Sequence, residues 1–327
     1  MNLAKMVTDE ERGLSAYWPV IDGHADTVVQ AKKEGRSFFH YSTRGHLDLP
    51  RLRQAGIDLQ VLAICAGKRQ NPYRWVEKLL DSWEEEYQSS PDRPIWIKSP
   101  GDFLRWEREK GTGVILGLEG AEPLEESLDN LEKLYARGIR ILSLTWNHPN
   151  SFACGSGCRN DSGLTSLGKE VIRLAEKLGM LLDLSHLAPK SFREAIFFSR
   201  QPAFVSHANI YDLCPHPRNL TAEQVRAVAA KEGVIGLTFY PDFISKNPMP
   251  GCAEWLFHLE YLLQRAGADH IALGGDFDGI EKTLHDLQEV RDLPYLVGMM
   301  VAEGLEERTV AKILGGNLYA LFKKVFT

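Results

Sequence analysis

The sequence lacks a surplus of basic residues, a long apolar run, a set of paired cysteines and any low-complexity tract. Each absence closes a class of function. Its 38 Lys and Arg against 44 Asp and Glu leave a formal net charge of −6. No basic stripe interrupts that balance, which argues against a nucleic-acid partner. No stretch approaches the roughly 18 consecutive apolar residues of a membrane-spanning helix, so no membrane association is expected. The opening "MNLAKMVTDEERGLSAYW" has no apolar core of the roughly 7–15 residues found in a secretory signal, and a cytoplasmic location is expected. Five cysteines, an odd number, describe no disulfide framework. The one close pair, Cys154 and Cys158 in "CGSGC", has no second pair to complete a zinc site and reads as a Gly-rich loop with two incidental thiols. No internal repeat and no linker divides the chain.

What is present is a rhythm. Across 327 residues, short apolar runs alternate with stretches of helical spacing. The runs are "WPVIDGHAD" (18–26), "IDLQVLAIC" (57–65), "TGVILGLEG" (112–120), "IRILSLTWN" (139–147), "MLLDLSH" (180–186), "PAFVSHA" (202–208), "GVIGLTFY" (233–240) and "HIALGGDFDG" (270–279). Near-continuous apolar strands are those of a parallel sheet covered on both faces. Between them, "TSLGKEVIRLAEKLG" (165–179) carries apolar residues at helical spacing and closes at Gly179. "LTAEQVRAVAAKEG" (220–233) starts at Thr221 and also closes at a glycine. Eight alternations of strand and helix predict an α/β fold, a (β/α)8 TIM-type barrel, as one domain over 1–327. Residues 1–17 read as an N-terminal extension. Residues 66–111 read as a longer insert between the second and third strands, a helix plus an irregular connection.

In such barrels the active site lies at the C-terminal ends of the strands. Those ends carry His24 and Asp26, then Glu119, then "TWNH", then His186, His207, Tyr240 and the pair Asp276 and Asp278. In an extended strand, positions i and i+2 share a face, so His24 and Asp26 can grip one ion or simply face water. Glu119 follows a fully apolar run, where an unpaired carboxylate is costly to bury. His186 and His207 each have a bland reading as buried, hydrogen-bonded imidazoles. Three histidines and several carboxylates on one rim are harder to attribute to chance. His40, His46, His216, His258, His270 and His285 fall away from that rim and read as non-catalytic; His46 belongs to a structural connection before the second strand.

The donor types select the ion. Imidazoles with carboxylates, and no thiolate set, suit zinc, with manganese, cobalt or iron also compatible. His24, Asp26, Glu119, His186 and His207 over-supply one ion. Two ions with Glu119 as bridge divide them sensibly, in a site that clamps both the attacking and the accepting oxygen. A carboxylate at the last strand's end, where Asp276 and Asp278 both stand, is well placed to act as general base and then acid.

Together "DGHAD", "LEG", "LSH", "SHAN" followed by "RN", and "GGDFDG" resemble the membrane (renal) dipeptidase family of zinc metallopeptidases, from about Trp18 to "GGNLYALF" (315–322). The resemblance implies a binuclear zinc barrel that hydrolyses free dipeptides and tolerates a D-residue at the C-terminal position; some members also cleave carbapenem-type β-lactams. It implies that His24 and Asp26 hold one zinc, that His186 and His207 hold the other, and that Glu119 bridges. Asp276 matches the aspartate that moves the proton, Arg218 the arginine that binds the substrate carboxylate, and Tyr240 a tyrosine of the pocket. Without the resemblance, Arg218 in "CPHPRNL" reads as a surface arginine. A homodimer is a family-level expectation only.

One departure stands out. Renal-type members place a histidine directly after a Leu-Thr pair, where it assists the substrate carbonyl. Here "LTWNHPN" puts Trp146 and Asn147 first and His148 two residues later, so Asn147 or His148 takes that role or it is absent. The nearest rival function is another binuclear amidohydrolase acting on N-acyl amino acids, lactams or cyclic amides. A more distant rival is a metal-retaining barrel that binds without turnover.

Overall fold

Parallel strands that are apolar on both faces must be covered on both, and here they achieve this by closing into a ring. In the computed structural model, which describes residues 18–327, nine strands occur. They are β1 (Ile21–Ala25), β2 (Leu59–Cys65), β3 (Ile95–Trp96), β4 (Gly113–Glu119), β5 (Ile139–Ser143), β6 (Leu181–Asp183), β7 (Phe204–Val205), β8 (Val234–Leu237) and β9 (Ile271–Leu273). Their order is β2-β1-β9-β8-β7-β6-β5-β4-β3, and β2 also pairs with β4 over its full length, from Leu59↔Gly113 to Cys65↔Glu119. That pairing closes an eight-stranded barrel and leaves β3 outside it. All eight expected strands are present in parallel register, flanked by helices, as a (β/α)8 barrel. The extension expected over 1–17 lies outside the described residues.

The insert differs from its expected form. Besides the helix Pro72–Ser89 it contains β3, which pairs with β4, and a second helix, Pro100–Glu109. The signal for that helix is local: Ser99 accepts the Asp102 N–H as N-cap and Pro100 occupies the first turn. The helix expected over 165–179 runs Ser166–Leu178, capped by Thr165 and stopped at left-handed Gly179. The helix expected over 220–233 runs only Ala222–Ala230, with Thr221 and Gln224 forming a reciprocal capping box. It ends before the glycine, and Glu232 takes the left-handed turn. Gly233 serves close approach instead: a Cβ there would lie 2.3 Å from the Ala203 carbonyl oxygen.

The barrel interior is graded along its axis. Ile115, Ile141, Leu181 and Phe204 form an apolar lower layer with Ile21, Leu59, Val61 and Ala272, plugged by Leu318, Leu321 and Phe322 of the C-terminal helix Asn317–Phe326. Period-2 alternation returns each strand to the same face two residues later. Above Ile141, Leu181 and Phe204 stand Ser143, Asp183 and Ser206, and four residues above Ile115 stands Glu119. An apolar floor, a polar middle and an acidic and imidazole rim follow from that single periodicity.

Candidate metal centre

Five strand ends converge. His24 stands in β1, and Asp26 follows as the N-cap of the helix Thr27–Glu34. Glu119 ends β4, while His186, His207 and Asp276 follow β6, β7 and β9. The loop after β9 is stitched to β1: the Asp276 N–H donates to the His24 carbonyl (3.0 Å) and the Asp26 N–H to the Phe277 carbonyl (2.9 Å). Asp276 and Asp278 both adopt left-handed backbone, at φ 60° and 66°, which is strained for non-glycine residues. Asp278 holds this loop. It is buried, pairs with Arg36 at 2.8 Å, and accepts from Thr27 Oγ1 (2.7 Å) and the His46 N–H (2.7 Å). Its own N–H donates to His46 Nδ1 at 3.0 Å. His46 is thus more than the plain connection read from its position, although it stands away from the pocket.

The donor atoms are close. His186 Nε2 is 2.8 Å from Glu119 Oε1, and His207 Nε2 and His24 Nε2 lie 3.7 and 3.6 Å from the same oxygen. His24 Nε2 lies 3.6 Å from Asp26 Oδ2 and 3.9 Å from Asp276 Oδ1. Three overlapping triads, each with donor atoms within 4.8 Å of one another, arise from these residues: His24, Asp26 and Glu119; Glu119, His186 and His207; and His24, His207 and Asp276.

The charges are unbalanced in a way that a cation corrects. Burial and the neighbouring Asp26 push the Glu119 carboxyl up to about 8, against the pull of His24. Burial likewise raises Asp276 to about 7. Burial opposes the charged form of His24, but the neighbouring Asp26 carboxylate and the fields of Glu119 and Asp276 push it up to about 10. Burial, with Arg218 and His24 nearby, holds His186 and His207 well below the usual histidine range, neutral and ready to ligate. His24 Nε2 is buried with no hydrogen-bond partner. An orphaned imidazole nitrogen, crowded carboxylates and two neutral imidazoles fit divalent metal.

A pocket of about 200 Å³ opens over this cluster, lined by Asp26, Glu119, Trp146, Asn147, His186, His207, Arg218, Tyr240, Phe243, Asp276, Gly279, Ile280 and Glu281. Arg218 is buried, not the surface residue its Pro-rich loop suggests. Its Nη1 donates to the Ser185 carbonyl, and its Nη2 donates to the His207 carbonyl (3.2 Å) and stands 3.3 Å from His186 Nε2. Burial lowers it to about 10, still charged at neutral pH. Tyr240 lines the pocket with its hydroxyl donating to Asp242 at 3.0 Å. Asn147 Oδ1 accepts from His186 Nδ1 (2.9 Å) and from Ser156 Oγ (3.1 Å). His148 is exposed beside Trp146, with ring centroids 5.9 Å apart, and does not line the pocket. Of the two candidates after the Leu-Thr pair, the structure brings in Asn147 and leaves His148 outside.

Sequence reasoning passed over Trp146, Phe243, Ile280 and Glu281 in the wall, and Asp183 and Ser206 beneath the histidines. For Ser206 a signal existed: a serine immediately precedes a rim histidine in both "LSH" and "VSH".

The profile of the membrane dipeptidase family, peptidase family M19, matches residues 8–327. Among solved structures, the metallopeptidase dipeptidase AC superposes at TM-score 0.87 with 26% identity, covering 94% of this chain and 98% of its own. A Rhodobacter sphaeroides metallopeptidase, solved with a phosphinate mimic of L-Ala-D-Ala, gives TM-score 0.87 and 25% identity over 94% of this chain and 99% of its own. An amidohydrolase from Pseudomonas aeruginosa shares the fold at TM-score 0.82 and 21% identity, over 100% and 99% of the two chains. Among the described residues, no helix is long and apolar enough to cross a membrane.

Proposed function

The chain belongs to the membrane dipeptidase family and is a metal-dependent dipeptidase, and from that premise we propose that it hydrolyses free dipeptides, including those with a C-terminal D-residue, at a site for two zinc ions. His24 and Asp26 would hold one ion and His186 and His207 the other, with Glu119 shared. Ions held there would supply Lewis-acid polarisation of the scissile carbonyl and a water made nucleophilic near neutral pH.

The chain's own residues supply the rest. Arg218 offers its fork to the substrate's C-terminal carboxylate, which selects free dipeptides over longer or amidated peptides. Both side-chain hydrogen bonds of Asn147 end on its Oδ1, which leaves its NH2 to donate to the carbonyl oxygen as negative charge develops there. Asp276, held near neutrality, accepts the proton of the attacking water and passes it to the departing nitrogen. Trp146, Tyr240 and Phe243 wall the pocket.

The observation that carries this reading is the buried cationic fork of Arg218, 3.3 Å from one candidate ligand, His186, in the same small pocket. The phosphinate mimic of L-Ala-D-Ala bound by the Rhodobacter sphaeroides relative supports the D-residue. The test compares initial rates of zinc-reconstituted protein on L-Ala-L-Ala, L-Ala-D-Ala, an N-acetylated and a C-terminally amidated analogue, with and without chelator. Chelator-sensitive cleavage of the two free dipeptides, with slow turnover of the amide, is the expected result. Preference for the N-acetylated compound would replace the dipeptide substrate by an N-acyl amino acid or a cyclic amide.

A further inference from the structure

Beneath the rim lies a buried polar hub that the reaction itself does not use. Asp183, at the end of β6, accepts five hydrogen bonds. Ser143 Oγ (2.9 Å) and Ser206 Oγ (2.7 Å) donate to its Oδ2. Ser185 Oγ (2.6 Å) and the N–H groups of Ser185 (3.1 Å) and Ser206 (3.0 Å) donate to its Oδ1. The carboxylate is 2% exposed and is saturated with donors from β5 and the segments that continue β6 and β7.

The consequence reaches the rim through Ser206. Its Oγ lies 2.8 Å from His207 Nδ1 and 3.3 Å from His24 Nδ1. A hydroxyl has one proton and two lone pairs. Asp183 takes the proton. Ser185 Oγ, 3.0 Å from Ser206 Oγ, has already given its own proton to Asp183 and does not compete for a lone pair. Both lone pairs of Ser206 therefore face imidazole Nδ1 atoms, which must carry hydrogen. In neutral imidazole this leaves each Nε2 as the bare nitrogen, His24 Nε2 standing 3.6 Å from the Glu119 oxygen and His207 Nε2 3.7 Å from that oxygen and 2.9 Å from His186 Nε2. The two rings are in contact, centroids 3.8 Å apart and planes tilted by 36°, so one misoriented ring disturbs the other.

We propose that Asp183, acting through the Ser206 hydroxyl, is the positioning residue that fixes the tautomer and orientation of His24 and His207 together, so that one buried carboxylate sets one imidazole ligand in each half of the metal site. This rests on the reading of those histidines as ligands. Ligating histidines commonly donate the second ring N–H to a carboxylate or carbonyl. Here one hydroxyl relays one carboxylate to two of them.

The test is metal binding, measured on metal-free protein by zinc titration against a competing chelator, with thermal unfolding of the same metal-free samples. Ser206→Ala is expected to weaken zinc binding by roughly 10- to 100-fold in a protein that still folds, at a lowered Tm, without metal, and Ser206→Thr to recover most of both losses. Asp183→Asn is expected to lose at least as much, because its amide hydrogens turn the Ser206 proton toward the histidines and demand the wrong tautomer. The cobalt-substituted absorption spectrum should change in Ser206→Ala and return in Ser206→Thr. A folded Ser206→Ala protein with wild-type zinc affinity and cobalt spectrum would overturn the proposal. Should His207→Asn bind zinc as well as wild type, the ligand assignment itself falls, and the proposal with it.

Discussion

Gly279 faces Asp26 so closely that the Cβ it lacks would lie 2.1 Å from that carboxylate's Oδ2 and 2.4 Å from Asp276 Oδ1. Its φ is not in the left-handed region and the residue is exposed on the pocket wall, so the glycine is required by the carboxylates and not by the backbone. Gly279→Ala must push both carboxylates aside. A displacement on the order of 1 Å at a reacting centre can cost about 100-fold in rate. The expected outcome is a loss of kcat/KM of that order with unfolding of the metal-free protein nearly unchanged, read from dipeptide hydrolysis beside thermal melts.

Asn147 and His148 are neighbours with opposite expectations. Removing one donor to a developing oxyanion typically costs about 100- to 1,000-fold in kcat. Asn147→Asp keeps the acceptor for His186 Nδ1, removes the donor and adds a negative charge that opposes the developing oxyanion, so its kcat should fall by at least roughly that factor while zinc content holds. His148→Ala should stay within about twofold of wild type. A normal kcat for Asn147→Asp would assign the carbonyl assistance elsewhere.

The pair of Arg36 and Asp278 is buried, and removing one partner strands the other. Arg36→Met should destabilise the protein by about 3–5 kcal/mol, measured as a shift in the urea midpoint at constant slope. Because the same pair braces the left-handed backbone of the Asp276 loop, kcat should drop at temperatures well below the melt.

Proton and metal compete for one cluster. In the metal-free fold, His24 near 10, Glu119 near 8 and Asp276 near 7 all lie above their ordinary values. Each therefore binds protons more tightly folded than unfolded. Their contribution to stability is complete below the unfolded pKa and is lost as pH rises through the folded one. His186 and His207, shifted down, act oppositely, but only below about pH 6.5. From about pH 6.5 to 8 the metal-free protein should lose stability. The rise in Tm on adding zinc should be larger at pH 8 than at pH 6.5, because fewer protons must be displaced. A zinc-induced shift that shrinks across this window would contradict the assignment.

The barrel was legible because strands covered on both faces are written as uninterrupted apolar runs, and the closing glycine of 165–179 marks its helix. The rim was legible for a related reason. A histidine or carboxylate terminating an apolar run has few uses, and the barrel topology sends all such ends to one place. Other features depend on registers that a one-dimensional string does not carry. That Ser206 lies between two imidazoles depends on β1 and β7 facing one another across the interior. The burial of Arg218 depends on its side chain reaching back over the ends of β6 and β7, while locally it sits among prolines. Gly233, read as a helix stop, instead makes room for the Ala203 carbonyl.

The donor set draws on both extremities of the chain, from β1 to the loop after β9, with β4, β6 and β7 between. A chain halted after β4 owns His24, Asp26 and Glu119 but neither later imidazole, so it can hold an ion only weakly. β6 and β7 then bring His186 and His207, and the loop after β9 closes the ring by stitching Asp276 and Phe277 to β1. An ion held by such a set acts as a clasp across almost the whole polypeptide, and clasping distant segments is where a cross-link constrains the unfolded chain most. Occupancy would therefore tie β1 to the loop after β9, and the ends of β4, β6 and β7 to both.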